Sequence, residues 1–452
     1  MIFDKVLQIY QNYFICVHCL GRMFSLLGSN TTNQERGNSL LLSLTMENHK
    51  NFLSNNKDQH KIAIFNLKLL AEKANFSSAQ KVLLNEGIEY FTSEAHQICY
   101  LCEGIFSDLG KYVETSRIAL EGIQFDNLLV GTTPDSLIVN REDIFKSEHK
   151  ILEAESFKSH FNRVVGKKLV KVLNKEPEFN NPDILIIFFV YADHFDIKVN
   201  LRSLFVFGRY NKFIRGIPQT HWFCNNCKGI GCKHCNFSGK QYDTSVEELM
   251  KPVFINESKA TDSKFHGAGR EDIDVRMLGD GRPFVIELKN PKVRTLDLVR
   301  IEKKVNRKNR NKIKIQGLRY SSKKEVIKFK TEAKDTKKTY KALVKAETKM
   351  TKEMFGEKLN ELKFEFENKV INQRTPNRVS HRRADKIRVK SIYSLTGKFI
   401  KSNLFEFVIK TQGGTYIKEL ISGDDGRTSP SFTEIFRIPL ICKKLDVLEI
   451  AY

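Results

Sequence analysis

The chain has 452 residues, 41% of them apolar, with 75 Lys plus Arg against 53 Asp plus Glu and a net charge of +22. That apolar share builds real cores and excludes wholesale disorder, and at roughly 150 residues per domain the length implies two or three structural units. The charge asks for a polyanion, either nucleic acid or an anionic membrane surface, while the longest uncharged apolar run, residues 184–192, is far short of the about 20 that a membrane-spanning helix needs. Asp4 and Lys5 open an N-terminus with no apolar h-region, so a cytoplasmic protein is expected.

Residues 29–60, rich in Asn, Ser, Thr, Lys and Glu, read as an insertion loop with one short helix at 40–44. Apolar spacing over 62–109 is helical, whereas 184–192 and 204–207 read as buried strands, which makes an α/β arrangement the economical account of this part. A helix begins at Ser245 and ends near Pro252, and the main boundary is placed just before it, dividing the chain into 1–240 and 241–452. Residues 275–278 and 284–288 read as two strands of a hairpin turning at Gly279-Asp280-Gly281. A helix at 296–304, a strand at 318–321, a strand at 339–344 and a charged helix over about 349–369 follow. Residues 387–394 and 404–411 are strands, and Gly413-Gly414 turns the chain into a helix over 415–421.

Eight of the nine cysteines form four pairs of identical spacing: Cys16/Cys19, Cys99/Cys102, Cys224/Cys227 and Cys232/Cys235. Two thiolates three positions apart can grip one tetrahedral Zn2+ from a tight turn, and two such turns complete a site. The second quartet is compact, with Gly229 and Gly231 between its knuckles, and the first ties the N-terminus to the segment around residue 100. Four thiolates leave no position for a reactive water, so two structural zinc ions are expected. A disulfide framework predicts no such pairing. Cys442, in a late apolar segment, is a buried small hydrophobe.

Three stretches carry chemistry. In His266-Gly-Ala-Gly-Arg270-Glu271-Asp272-Ile-Asp274-Val-Arg276, glycines let a ligand come close and a strand entrance can hold a carboxylate rigidly. Asp272 and Asp274 share a face if both are in the strand, with Arg270 or Arg276 to anchor the acid or hold phosphate; the same charges could instead form a surface ion network. Residues 373–388 place Arg374, Arg378, Arg382 and Arg383 among Pro and short polar donors, a composition suited to phosphate contacts or to a merely solvated basic loop. In Gly413-Gly-Thr-Tyr416-Ile-Lys418-Glu-Leu420, a short helix could bring Lys418 to a pocket. The phosphate-binding P-loop, the His-Glu-x-x-His metalloprotease motif and the serine nucleophile elbow are absent from the sequence.

Together these stretches resemble the archaeal-type, THUMP-containing tRNA pseudouridine synthases that modify the T arm. The resemblance runs through Cys16–Arg22, Trp222 with the knuckle, Ser245–Leu249, Phe265–Pro291, Lys338–Leu343, Gln373–Arg388 and Gly414–Arg427, nearly end to end and in order. It implies an α+β protein with an N-terminal zinc-containing accessory domain holding a THUMP module and a C-terminal synthase domain with a mixed, mainly antiparallel sheet. The implied reaction isomerises uridine to pseudouridine at RNA positions 54 and/or 55, without a catalytic cofactor and on tRNA as partner; nothing in the sequence demands an oligomer, so a monomer is the default. The resemblance places the catalytic aspartate at Asp272, with Asp274 as fallback. It places the active-site tyrosine at Tyr340, the basic partner at Lys418 where related synthases often carry Arg, and an apolar neighbour of the base at Leu420. Arg270, Tyr340, Arg374, Arg378, Arg382, Arg383 and Leu420 are the expected substrate contacts, and the basic run at 303–314 is expected to continue the tRNA track near the cleft. The alternative from another class is a noncatalytic tRNA-binding or RNP-assembly protein on a synthase-like scaffold. A THUMP-containing methyltransferase is weaker still, since no glycine-rich cofactor loop follows a strand.

Overall fold

The structure is a computed structural model that describes residues 2–28, 30–91, 97–331 and 336–451. It divides into two compact units, Met1–Arg202 and Ser203–Tyr452. The first contains α1 (Ile2–Asn12), α2 (Val17–Met23), α3 (Asn33–Phe52), α4 (Lys57–Glu72), α5 (Ser77–Asn85), α6 (Gly110–Ala119), β1 (Asn127–Pro134), α7 (Ser136–Glu148), α8 (Phe157–Leu173), β2 (Glu176–Pro177), β3 (Ile184–Val190) and β4 (Phe195–Leu201).

Its sheet has the order β2-β1-β3-β4, with β1 parallel to both β2 and β3, and β3 antiparallel to β4. Parallel neighbours need a long crossover, which α7 and α8 supply. Ile184, Ile186, Phe188 and Val190 alternate into the core, where Phe188 meets Tyr112 and Phe161 edge-on. Residues 29–60 depart from the insertion loop expected of them. A reciprocal capping box between Thr32 and Glu35 starts the 20-residue α3, and Leu41, Leu44, Thr45 and Asn48 bury one face at helical spacing. Local polarity concealed this helix because its apolar stripe is narrow.

The second unit contains β5 (Leu204–Lys212), α9 (Val246–Ser258), β6 (Asp262–Gly267), β7 (Val275–Lys289), α10 (Leu298–Lys308), β8 (Ile313–Ser321), α11 (Lys323–Thr331), β9 (Lys337–Ala346), α12 (Lys352–Phe366), β10 (Lys369–Arg374), β11 (Ile387–Lys401), β12 (Leu404–Gln412), α13 (Ile417–Ser422), β13 (Thr428–Ser429), α14 (Phe432–Phe436) and β14 (Leu440–Ala451). Among the described residues these strands form one ten-stranded sheet in the order β13-β10-β11-β12-β9-β14-β7-β5-β8, with β6 also on β7. It is mixed and mainly antiparallel: β14 runs parallel to β7, at Leu445–Val275 and Val447–Met277, while its other neighbours are antiparallel.

Three expectations are corrected here. The units meet at 202/203 instead of 240/241, because β5 pairs with β7 and β8 and so carries the knuckle into the second unit. Helix α9 does not stop at Pro252; it runs on to Ser258 because Met250, Phe254 and Ser258 continue its buried face. The segment 275–289 is one bulged strand, not a hairpin. Both halves pair with β5, Lys212 opposite Met277 and Tyr210 opposite Arg282, and the extra residues loop out between them. Gly279 and Gly281 take positive φ there, and Arg209 and Asn211 donate to the Asp280 and Gly279 carbonyls.

Candidate active site

The loop between β6 and β7 carries Asp272, and a buried polar scaffold fixes its backbone. Glu271 is buried and accepts from Tyr210 Oη at 2.8 Å and Arg282 Nε at 2.8 Å. Arg282 Nη1 also donates to the Ala268 carbonyl at 2.9 Å, and Gln219 Nε2 donates to Tyr210 Oη and to the Gly269 carbonyl. The fully buried Lys212 donates to the carbonyls of Ile217, Asp272 and Ile273 at 2.9, 3.2 and 3.2 Å. Burial holds the Lys212 ammonium below its ordinary pKa and, with Glu271 next, holds the Tyr210 phenol well above its own, so Tyr210 is a donor to Glu271. Asp272 and Asp274 lie in the turn before β7 and not within the strand, with Val275 N–H donating to the Asp272 carbonyl.

Their carboxylates nevertheless face one cleft of about 510 Å3, which β9, α13 and the 377–383 segment also line. Its size is that of an ordinary small-ligand pocket. Arg378 Nη1 stands 2.9 Å from Asp272 Oδ2, and Arg378 Nε donates to Glu419 Oε1 at 2.5 Å. Lys418 Nζ grips both Asp274 oxygens at 2.7 and 2.8 Å and stands 3.8 Å from Asp272. The direct partner of Asp272 is therefore Arg378, and Lys418 is the direct partner of Asp274. Burial pushes the Asp274 carboxyl up, but the Lys418 contact, followed by Arg378, outweighs it and leaves Asp274 below the usual range. Asp272 keeps 33% of its side chain exposed, open to a ligand. Tyr340, in the middle of β9, points into the cleft, and burial pushes its phenol up to about 12.

The other expected contacts separate. Arg270 lies over the Trp222 ring, 4.6 Å from its centroid, and both line the cleft. Arg383 lines it too and donates to Tyr416 Oη at 2.9 Å. Arg374 pairs with Asp385 at 2.7 Å and does not line the cleft, and the side chain of Arg382 lies outside the described residues. Arg276 serves the sheet, forking onto both oxygens of Asp446. Leu420 is 0% exposed; its position on α13 turns it into the core, and Ile417, Leu445 and Val447 supply the apolar lining instead. The 303–314 run spans α10 to β8 at the far end of the sheet from β10, with β14, β7 and β5 between it and β9. It is not beside the cleft.

Sequence reading missed Glu271, Arg282, Lys212 and Lys338, all of which except Lys212 line the cleft. Lys338 stands two residues before Tyr340, so strand alternation puts both side chains on one face, a signal the sequence already held.

Each cysteine quartet brings four Sγ atoms within 4.8 Å of one another. Sγ separations are 3.7 Å for Cys16–Cys102, 4.0 Å for Cys224–Cys232, and 3.8 and 3.7 Å for Cys227–Cys235 and Cys232–Cys235. A tetrahedron with metal–sulfur bonds of about 2.3 Å has edges of about 3.8 Å, so both donor sets fit one metal ion each. Backbone N–H groups of Gly231 and Gly239 donate to Cys227 and Cys235, as thiolates require. Cys442 is partly buried against the core rather than fully enclosed.

Residues 205–451 match the family model described as Pus10, C-terminal, and residues 112–188 match the Pus10 THUMP domain, archaeal. A tRNA pseudouridine synthase Pus10 from Methanocaldococcus jannaschii is 40% identical over 98% of this chain and 93% of its own length. Those from Methanothermobacter marburgensis and Methanopyrus kandleri are 36% and 38% identical, each over 99% of this chain and over 97% and 98% of theirs. With a family model over the whole second unit and relatives aligned from end to end, the chain belongs to the Pus10 family.

Proposed function

We propose that this protein is a tRNA pseudouridine synthase acting on uridine in the T arm, at RNA position 54, 55 or both. The observation that carries the reading is the cleft in which Asp272 meets Arg378 at 2.9 Å while Tyr340 lines the wall. The reaction breaks the N1–C1′ bond, turns the trapped base and joins C5 to C1′. Substrate and product hold the same atoms, so the step balances without a redox or nucleotide cofactor. Asp272 starts it as a carboxylate, by attack on C1′ or by removal of the 2′ hydrogen. Arg378 pairs with that carboxylate and aims it, and Lys418 keeps the adjacent Asp274 charged.

A duplex base cannot reach Asp272 while stacked, so the uridine is extruded and rests against Tyr340. Arg383 and Arg270 sit at the cleft where flanking phosphates pass, and the first unit, with its THUMP match, grips A-form RNA by shape. Both cysteine quartets hold structural Zn2+, and the protein works in the cytoplasm as a monomer. Among the described residues no helix is long and apolar enough to cross a membrane.

Tritium release from a tRNA transcript labelled at uridine C5 tests the reading, with wild type and Asp272→Asn in parallel and the product position mapped. Release by wild type alone, at a T-arm uridine, is expected. Tight tRNA binding without release by the wild type would refute it in favour of a noncatalytic RNA-binding scaffold.

A further inference from the structure

Lys338 has no task in the reaction as described so far, yet its surroundings are those of a working group. It begins the central strand β9 two residues from Tyr340, and both side chains line the cleft. Only 9% of Lys338 is exposed. Among the described residues its amine has no hydrogen bond and no carboxylate within ion-pair distance. A buried ammonium without a partner is costly, so such lysines give up the proton. The charged groups around it come from three elements: Arg282 on β7, Glu271 in the loop before it, and Lys390 on β11. Glu271 is already committed to Arg282 and Tyr210, and Lys390 Nζ donates to the Gly413 carbonyl. Gly269 has φ +81° beneath the amine, and a Cβ there would stand 3.3 Å from Lys338 Nζ and 3.0 Å from Arg282 Nη1, so the loop leaves room for both side chains to approach the cleft. Burial first, then Arg282, brings the Lys338 pKa down to about 7, against a partial offset from Glu271.

Resting on the synthase reading, we infer that Lys338 is the proton acceptor of the last chemical step, taking the C5 hydrogen of the reattached base. After C5–C1′ forms, C5 carries both its hydrogen and the ribose. The lone pair of the neutral amine takes that hydrogen as a proton, the C–H electron pair restores the C5=C6 double bond, the C6=N1 pair withdraws onto N1, which takes a proton from water, and the resulting ammonium returns its proton to solvent as product leaves. Other cleft groups are unsuited. Tyr340 is a protonated phenol with its pKa pushed up to about 12, Asp274 is held ionised and weakly basic by Lys418, and Arg378 and Lys418 are paired cations.

The test uses the full chain as Lys338→Met and Lys338→Arg on three tRNA transcripts: unlabelled, 5-deuterated at uridine, and carrying 5-fluorouridine, which has no C5 proton to lose. Wild-type turnover on the unlabelled transcript tests the synthase reading separately. If Lys338 is the acceptor, wild-type turnover rises with pH through about 7, and both variants bind tRNA as wild type does. Both then slow by about 10²–10⁴-fold, the contribution of a positioned general base. In both variants deuterium slows turnover further, and C5–C1′ formation on the 5-fluorouridine transcript proceeds at the wild-type rate. Equal slowing on the fluorinated and unlabelled transcripts, no deuterium effect, or full activity of Lys338→Arg overturns the inference. Should Lys338→Met fold poorly, Lys338→Arg keeps the length and charge and decides alone.

Discussion

Arg378 joins two acids of unequal burial, and removing it separates stability from catalysis. Its guanidinium contacts Glu419, whose side chain is 5% exposed, and Asp272, which is 33% exposed. In Arg378→Ala, Asp272 recovers water, but Glu419 is left as a buried charge whose Oε2 already lacks a hydrogen bond. Orphaning one member of a buried pair costs about 3–5 kcal/mol. Arg378 is itself 36% exposed, which places the loss near the lower end, about 3 kcal/mol at pH 7. For a unit of this size that is a fall in melting temperature of roughly 6–12 °C. The assay is calorimetry of wild type, Arg378→Ala and the double variant Arg378→Ala/Glu419→Gln, with C5 tritium release measured on each. The single variant should lose both stability and activity; the double variant should regain most of the stability and none of the activity, since Asp272 still lacks its partner. A single variant that melts within 2 °C of wild type, or a double variant that turns over normally, would show that Arg378 neither balances Glu419 nor holds Asp272.

Two zinc ions per chain are expected by metal analysis, and Cys232→Ser should halve that content while the first unit keeps its own; unchanged content would refute the second site. Lys338 loses its proton at about 7 in the fold but at 10.5 when exposed. Between those values the unfolded chain binds the extra proton, so this group makes stability rise with pH across the window and is a liability below it. Lys338→Met should therefore melt above wild type most clearly below pH 7, with the difference vanishing near pH 10.5; a constant difference would contradict the buried-amine account. On α10, Lys303, Arg307 and Lys308 are exposed. If they contact phosphate, Arg307→Ala lowers the slope of log Kd against log salt by about 1, and an unaltered slope removes α10 from the tRNA path.

What the sequence revealed and what it hid follow from the range of the forces involved. The cysteine pairs, the strand 184–190 and the Ser245 helix start were legible because spacing, alternation and capping are local. The bulge at Gly279-Asp280-Gly281 was not, since a Gly-Asp-Gly run suits a hairpin equally well until Tyr210 and Lys212 both claim the same strand. Asp272 stood out by its context, yet its direct partner did not. Arg378 lies 106 positions further along, while Lys418, the expected partner, is drawn to Asp274 by two contacts of 2.7 and 2.8 Å. Leu420 was misplaced for a related reason: in a helix as short as α13, the face turned to the core is set by packing against β14 and α14, which the sequence alone does not specify.

The buried scaffold explains how a glycine-bearing loop can hold the Asp272 carboxylate still. Lys212, Arg282, Tyr210 and Gln219 act on the backbone of 268–273 or on Glu271, and none of them touches the Asp272 carboxylate. Position is therefore set through the main chain, which leaves the carboxylate with Arg378 as its close contact and an exposed side toward the cleft. Holding Asp272 by its own oxygens would fix it as firmly but would occupy the lone pairs the proposed reaction uses. Burying Lys212 and the Glu271–Arg282 pair costs stability that well-packed apolar residues would not. A chain selected for stability alone would fill this space with Leu and Met. Retaining the charges makes sense where sub-ångström placement of one loop controls the rate, and it ties Glu271 to Asp272 in function: Glu271→Gln weakens the Arg282 contact and frees the loop, so turnover should fall while tRNA affinity, spread over many phosphates, stays close to wild type.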